Sequence, residues 1–239
     1  MSVEKINTNI LSLPPAWMSR VQERGGSIAN ADAVKKLLGE PIPQAVDPKT
    51  LTPHIAAMFA RGGILDRLRK KLALLSKKKG GRLIPSKGVI ASVDEDDNVY
   101  VGVDFLEQFG DDEALLAGIL AHEWGHMVSD LPKGMDWSHL TWDEIHALRR
   151  DEEAYADGFA GRALFFLNYT PESMVDFLKT IDRRRKDKKL PTLKYHNTAT
   201  RVEILRQSFE ASRRTMQAAR RIFGGRKTGP KIGRVIGAG

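Results

Sequence analysis

The chain has 239 residues, of which 41% are hydrophobic and 28% charged. That is the balance of a water-soluble globular protein with room for one sizeable core and an irregular extension, not for two full domains. Cysteine is absent, which excludes disulfides, thiolate metal sites and thiol nucleophiles, so any metal has to be held by His, Asp or Glu.

No stretch has the apolar length to span a bilayer, and no secretory signal is recognisable over Met1 to Arg20, so the cytoplasm is the expected compartment. The formal net charge is +8, and Arg226, Lys227, Lys231 and Arg234 carry half of it in an acid-free stretch. Much of the remaining basic character sits in Lys77 to Lys79 and Arg183 to Lys189, short runs of the kind that coat a solvated face or loop. Neither a membrane span nor nucleic acid is therefore an expected partner, and the sequence is silent on oligomeric state.

In chain order, Pro14, Pro15, Gly25, Gly26, Pro41, Pro43 and Pro48 leave room only for short helices, and residues 1–51 read as an irregular arm. From Thr52 to about Ser76, Ile55, Met58, Phe59, Ile64, Leu65, Leu68, Leu72 and Leu75 recur at three- and four-residue intervals. They predict an amphipathic helix loosened at Gly62 and Gly63. Over 82–106 the period changes, and Val89, Ile90 and Val93 face Val99, Val101 and Val103 across the acidic turn Asp94 to Asn98, predicting a β-hairpin. That turn lacks the glycine and the terminal glutamate of a calcium loop and reads as a solvated turn.

Asp111 or Asp112 caps a helix that runs to about Ser129, where Asp130, Pro132 and Gly134 break it. A capping box from Thr141 to Glu144 opens a second helix to about Leu167. Thr170 and Pro171 open a third, and the last spans about Ala199 to Phe223, stopping at Gly224 and Gly225. The predicted fold class is α+β: a mostly helical domain over 52–223 with a small antiparallel hairpin or sheet beside the helix at 112–129, followed by a basic tail over 224–239.

That helix carries His122-Glu123-Trp124-Gly125-His126, a match to H-E-x-x-H. Four residues turn a helix about 40° past a full revolution and advance it about 6 Å, so both imidazoles project from one face and can close on a single ion. Imidazole nitrogens without a thiolate suit zinc, and Glu123 beside the open coordination position is placed to take a proton from zinc-bound water.

A third ligand has to come from another element. In the next long helix, Glu153 and Asp157 lie four apart on one face, with the small residues Ala156, Ala160 and Gly161 on or beside it. Small side chains permit the close helix approach that a carboxylate needs to reach the ion. Glu153 is the predicted ligand, and Asp157 is placed to accept the other ring N–H of a ligating histidine. The plainer reading makes Glu152, Glu153 and Asp157 solvated acids paired with Arg149, Arg150 or Arg162. Ser129 and Pro132 stand where a longer H-E-x-x-H-x-x-G-x-x-H motif needs glycine and histidine, which excludes that class. His139 and His146 are weaker ligand candidates.

In these features the chain resembles the gluzincin metallopeptidases of the CaaX prenyl protease and HtpX type, over roughly residues 88–210. Three segments carry the likeness. Asn98-Val-Tyr-Val-Gly-Val-Asp-Phe-Leu with the run from Asp111 to His126 looks like the family's strand, turn and active-site helix. Glu153-Ala-Tyr-Ala-Asp157-Gly-Phe-Ala160 is similar to its E-x-x-A-D-x-x-A. The segment from Tyr195 and His196 to Arg201 is similar to its late H-P and R-I segment, with Asn197 in place of proline. The resemblance implies one zinc ion, hydrolysis of a protein or peptide substrate, and substrate or transition-state contacts from His196 and Arg201. It also implies that the strand near Val99 to Val103 lies along the cleft, where an extended peptide pairs with it.

Two other classes fit parts of the pattern. A regulatory metallopeptidase of the ImmA/IrrE kind shares the motif helix and a later E-x-x-A-x-x-F-A segment. A non-catalytic zinc-held or nucleic-acid-binding module would need no acid at Glu123, and the acid is present.

Overall fold

The structure, a computed structural model, describes residues 42–129, 140–187 and 196–224. The expected arm up to residue 41, the helix break at Asp130, Pro132 and Gly134, His139 and the stretch from 225 lie outside the described residues.

The architecture is α+β, with helices around a small four-stranded sheet. Strands β1 (Gln44–Ala45), β2 (Leu83–Lys87), β3 (Ala91–Val93) and β4 (Val99–Gly102) lie in the order β1-β2-β4-β3. The predicted hairpin is present: β3 runs antiparallel to β4, with Ala91 opposite Val101 and Val93 opposite Val99. Asp94 builds its turn by accepting from the Asn98 backbone N–H at 2.8 Å, from Asn98 Nδ2 at 3.0 Å and from the Tyr100 hydroxyl at 3.1 Å. The sheet is mixed rather than antiparallel, because β2 adds to β4 in parallel, Leu83 opposite Val99. β1 in turn pairs antiparallel with β2, so residues 44–45 of the expected irregular arm are tied into the sheet.

Two corrections follow from this topology. β4 is hydrogen-bonded on both edges, so it has no edge left for an extended peptide; among the described residues the edge strand beside the motif helix is β3. Val103 does not prolong the strand but opens helix α3 (Val103–Phe109), where Val103, Phe105 and Leu106 turn inward.

Thr52 caps α1 (Pro53–Phe59), and α2 (Ile64–Ser76) begins after a full break. Gly62 sits at φ +82, and a Cβ on Gly63 would lie 2.2 Å from the Ala57 carbonyl oxygen, so the chain has to turn there rather than merely loosen. Asp66 holds the corner by accepting from the Gly62 N–H at 2.8 Å. The inward positions Leu65, Leu68 and Leu72 are fully buried, as the three- and four-residue spacing requires.

Helix α4 (Glu113–Val128) is the centre of the fold. Asp112 caps it by accepting from the Leu115 N–H at 2.9 Å. It packs against α2, β3, α5 (Trp142–Phe166) and α6 (Glu172–Asp187), and Leu115, Leu116, Ala117, Leu120, Ala121 and Trp124 are all buried. A helix buried on all sides needs apolar residues all round, which is why its sequence lacks a polar stripe. The capping box of Thr141 and Glu144 starts α5 as predicted. Helix α7 (Thr198–Gly224) lies mainly against α5. None of the helices, among the described residues, is long and apolar enough to cross a membrane.

Candidate metal centre

Three contacts hold α4 where its histidines meet α5. The Trp124 indole N–H donates to Ser76 Oγ at 2.9 Å, and the ring lies against Gly80, where a Cβ would come within 2.4 Å. Lys78 Nζ donates to the Met127 carbonyl at 2.6 Å, satisfying a carbonyl of the last turn, and pairs with Asp97 at 3.1 Å. On the α5 side the helices all but touch: a Cβ on Gly125 would lie 2.6 Å from Ala156 Cα, so only glycine fits. The expected role of Ala156 is therefore met at α4. Gly161 instead faces α7, where its Cβ would lie 2.1 Å from the Leu205 carbonyl oxygen.

That approach delivers Glu153 to the histidines. His122 Nε2 lies 3.2 Å from His126 Nε2 and 3.2 Å from Glu153 Oε2, and His126 Nε2 lies 4.0 Å from the same oxygen. These three edges define a triangle with one point about 2 Å from every corner, the bond length at which nitrogen and oxygen ligands hold zinc. Among the described residues, His122, His126 and Glu153 are the group whose ligand atoms converge in this way.

The other ring nitrogens face carboxylates. His122 Nδ1 faces Asp157 Oδ1 at 3.0 Å, short in distance but bent in angle, and His126 Nδ1 faces Glu152 Oε1 at 3.1 Å. A carboxylate beside each Nδ1 selects the tautomer protonated there and leaves both Nε2 atoms with lone pairs. Glu153 Oε2 is buried, with His122 Nε2 as its near neighbour at 3.2 Å. Three potential ligand atoms thus face one another in a largely buried site, an arrangement that a proton or a cation between them stabilises.

The electrostatics agree. Burial works against charge on His122, but the carboxylates of Asp157 and Glu153 outweigh it and raise its pKa to about 10. Burial likewise pushes Glu153 and Asp157 up; His122 and His126 hold Glu153 well below the usual range, and Arg201 with His122 lowers Asp157. The centre favours positive charge, which a proton or a metal ion supplies.

Each carboxylate behind an imidazole is itself held by an arginine. Arg201 of α7 donates to Asp157 through Nε at 2.7 Å and Nη2 at 2.8 Å, and lies 3.9 Å from Glu153. Arg149 donates to Glu152 one turn along α5. The resemblance implies a substrate contact for Arg201; here its guanidinium clamps Asp157. His196 stands two residues before α7, half-buried, and none of these contacts involves it. Glu123 is half-buried where His122 is buried, so it keeps the solvent access that a water-activating acid requires.

Sequence reasoning overlooked Glu152. Its pairing with Arg149 belonged to the plainer reading of these acids as solvated, yet the Arg149 side chain is 10% exposed and that of Glu152 14%. The signal was the adjacency itself, since Glu152 and Glu153 step around α5 by about 100° and meet the two imidazoles from different sides. Glu152→Gln is expected to weaken metal binding about 10- to 100-fold, read by competition with a zinc chelator, because it removes the charge orienting His126. Unchanged zinc affinity would show that His126 needs no such support.

Comparison with protein-family models, with curated proteins and with solved structures finds no significant match to this chain.

Proposed function

We propose that the chain is a zinc-dependent endopeptidase of the gluzincin kind, with His122, His126 and Glu153 as ligands and Glu123 as general base. The observation that carries this reading is the convergence of His122 Nε2, His126 Nε2 and Glu153 Oε2, with a carboxylate beside the Nδ1 of each imidazole. A two-histidine, one-carboxylate set without thiolate is the donor chemistry of a catalytic rather than a structural zinc, since it leaves a coordination position open. Bound there, zinc would polarise a peptide carbonyl and lower the pKa of a water molecule.

The remaining steps belong to the protein. Glu123 takes the proton of the attacking water and returns it to the departing amine nitrogen. Asp157 and Glu152 keep their protons on His122 and His126 Nδ1 throughout, so the Nε2 atoms stay available as ligands. β3, at the sheet edge beside α4, offers an extended peptide or protein substrate a strand to pair with. The cytoplasm remains the compartment suggested by the sequence.

Metal analysis and cleavage of a peptide library by the purified full chain test this. One zinc per chain, cleavage lost on dialysis against a chelator and recovered on adding zinc, is the expected result. Zinc retained with no library member cleaved would shift the reading to a zinc-held scaffold, and no zinc at all would remove it.

A further inference from the structure

The charge of this chain is not spread over its surface. Residues 211–239 contain eight of the 38 Lys and Arg residues and none of the 30 acids, so the entire net charge of +8 resides there and residues 1–210 sum to zero. The described part of this stretch is the second half of α7. Ser212 is its last buried residue; from Arg213 to Ile222 only Met216 and Ala219 are even half-buried. The helix therefore leaves the body of the fold while still carrying Arg213, Arg214, Arg220 and Arg221, all exposed.

At 100° per residue these four arginines, with Gln217 between them, occupy an arc of about 120°. They form two rows, Arg213 with Arg220 and Arg214 with Arg221, each pair about 10 Å apart along the axis. The one acid nearby, Glu210, accepts from Arg213 at 2.9 Å in a pair whose side chains are 52% and 40% exposed, too solvated to bind the guanidinium strongly. We propose that this arginine face binds the backbone phosphates of a nucleic-acid duplex, without reading its sequence. It goes beyond peptide hydrolysis and revises the expectation that nucleic acid is no partner, because that expectation assigned the rest of the charge to short runs on a solvated face and not to α7.

Several features select this partner. Guanidinium forks match phosphate oxygens in pairs, and all four positions are Arg, none Lys. A membrane surface would need a broad apolar face opposite the charge, whereas the stretch from Arg213 to Ile222 offers one exposed large apolar residue, Ile222. No aromatic is interleaved with the arginines between Arg213 and Arg221, where unpaired bases would stack, which favours duplex over single strand.

The test uses the full chain, a fluorescently labelled mixed-sequence duplex of about 20 base pairs, and anisotropy titrations between about 50 and 200 mM KCl. A variant with Arg213, Arg214, Arg220 and Arg221 all changed to Gln preserves helix propensity, checked by circular dichroism. Arg213 lies about 18 Å along α7 from Arg201, so zinc content and any peptide cleavage serve as unchanged controls. Wild type should bind, with affinity falling steeply with salt and unaffected by zinc removal. The variant should bind at least about tenfold more weakly at the lowest salt, with a log–log salt slope shallower by about 3 to 4. No wild-type binding at the lowest salt, equal binding by the variant, or binding to phosphatidylserine vesicles in place of the duplex would each overturn the proposal.

Discussion

Glu123→Gln is expected to leave zinc content at one ion per chain while lowering peptide hydrolysis by a factor of about 10² to 10⁴. The substitution is nearly isosteric and lies next to His122, yet Glu123 is not among the three residues whose ligand atoms converge. Its half-buried position needs no carboxylate for packing, so the fold tolerates the amide. The amide cannot accept a proton from water, and so the step in which the nucleophile is generated loses its base. Two readings are needed together: metal content by elemental analysis and initial rates on the best-cleaved peptide. Wild-type turnover in the variant would remove Glu123 from the chemistry. Loss of zinc together with turnover would make it a structural residue.

The second large effect is expected from Gly125→Val. A Cβ at this position already lies 2.6 Å from Ala156 Cα, 3.1 Å from Ala156 Cβ and 3.2 Å from its carbonyl oxygen, and backbone atoms have no rotamer with which to move aside. The two helices have to separate, at a cost of about 1 to 3 kcal/mol or more in stability. In a chain of this size that is a fall in melting temperature of several degrees, about 2 to 4 °C per kcal/mol. Because Glu153 precedes Ala156 by one turn of α5, the same separation withdraws the carboxylate from the histidines, so zinc affinity should drop along with stability. Gly118→Ala is the contrast. There the nearest atoms to a Cβ are Met174 Cβ at 3.1 Å, Cγ at 3.3 Å and Sδ at 3.4 Å, so the neighbour has to give by only a few tenths of an ångström and the centre should keep its ion. Equal melting temperatures for wild type and Gly125→Val would mean that the close approach of α4 and α5 is not what brings the ligands together.

Both expectations bear on how much of this protein can be read without coordinates. Periodicity and capping are local properties: the three- and four-residue spacing of Leu65, Leu68 and Leu72, the Asp112 cap and the Thr141–Glu144 box each depend on neighbours within a turn, and each reappears in the structure. The pairing of His122 with His126 is legible for the same reason, since helix geometry alone sets two side chains four residues apart on one face. Even Glu153 was within reach, because a run of small residues on a helix face signals a close neighbour.

What the sequence by itself determined, then, is what contacts within a few residues carry: the long helices, the hairpin, and the motif with its acid, though not the short helix α3 or the full break between α1 and α2. Tertiary structure decided the rest. Whether β4 sits at an edge or in the middle depends on β2, whose parallel pairing with β4 is sixteen residues distant in register and leaves no periodic trace. That Arg201 clamps Asp157, and that Glu152 stands behind His126, depends on the angle at which α5 and α7 arrive. The chain's charges sum without regard to position, and only the exposure of α7 beyond Ser212 gathers Arg213, Arg214, Arg220 and Arg221 on a single face. In each case the deciding energy is a packing or Coulomb interaction between residues far apart in the chain, and such interactions act through distance in space, which residue order does not encode locally.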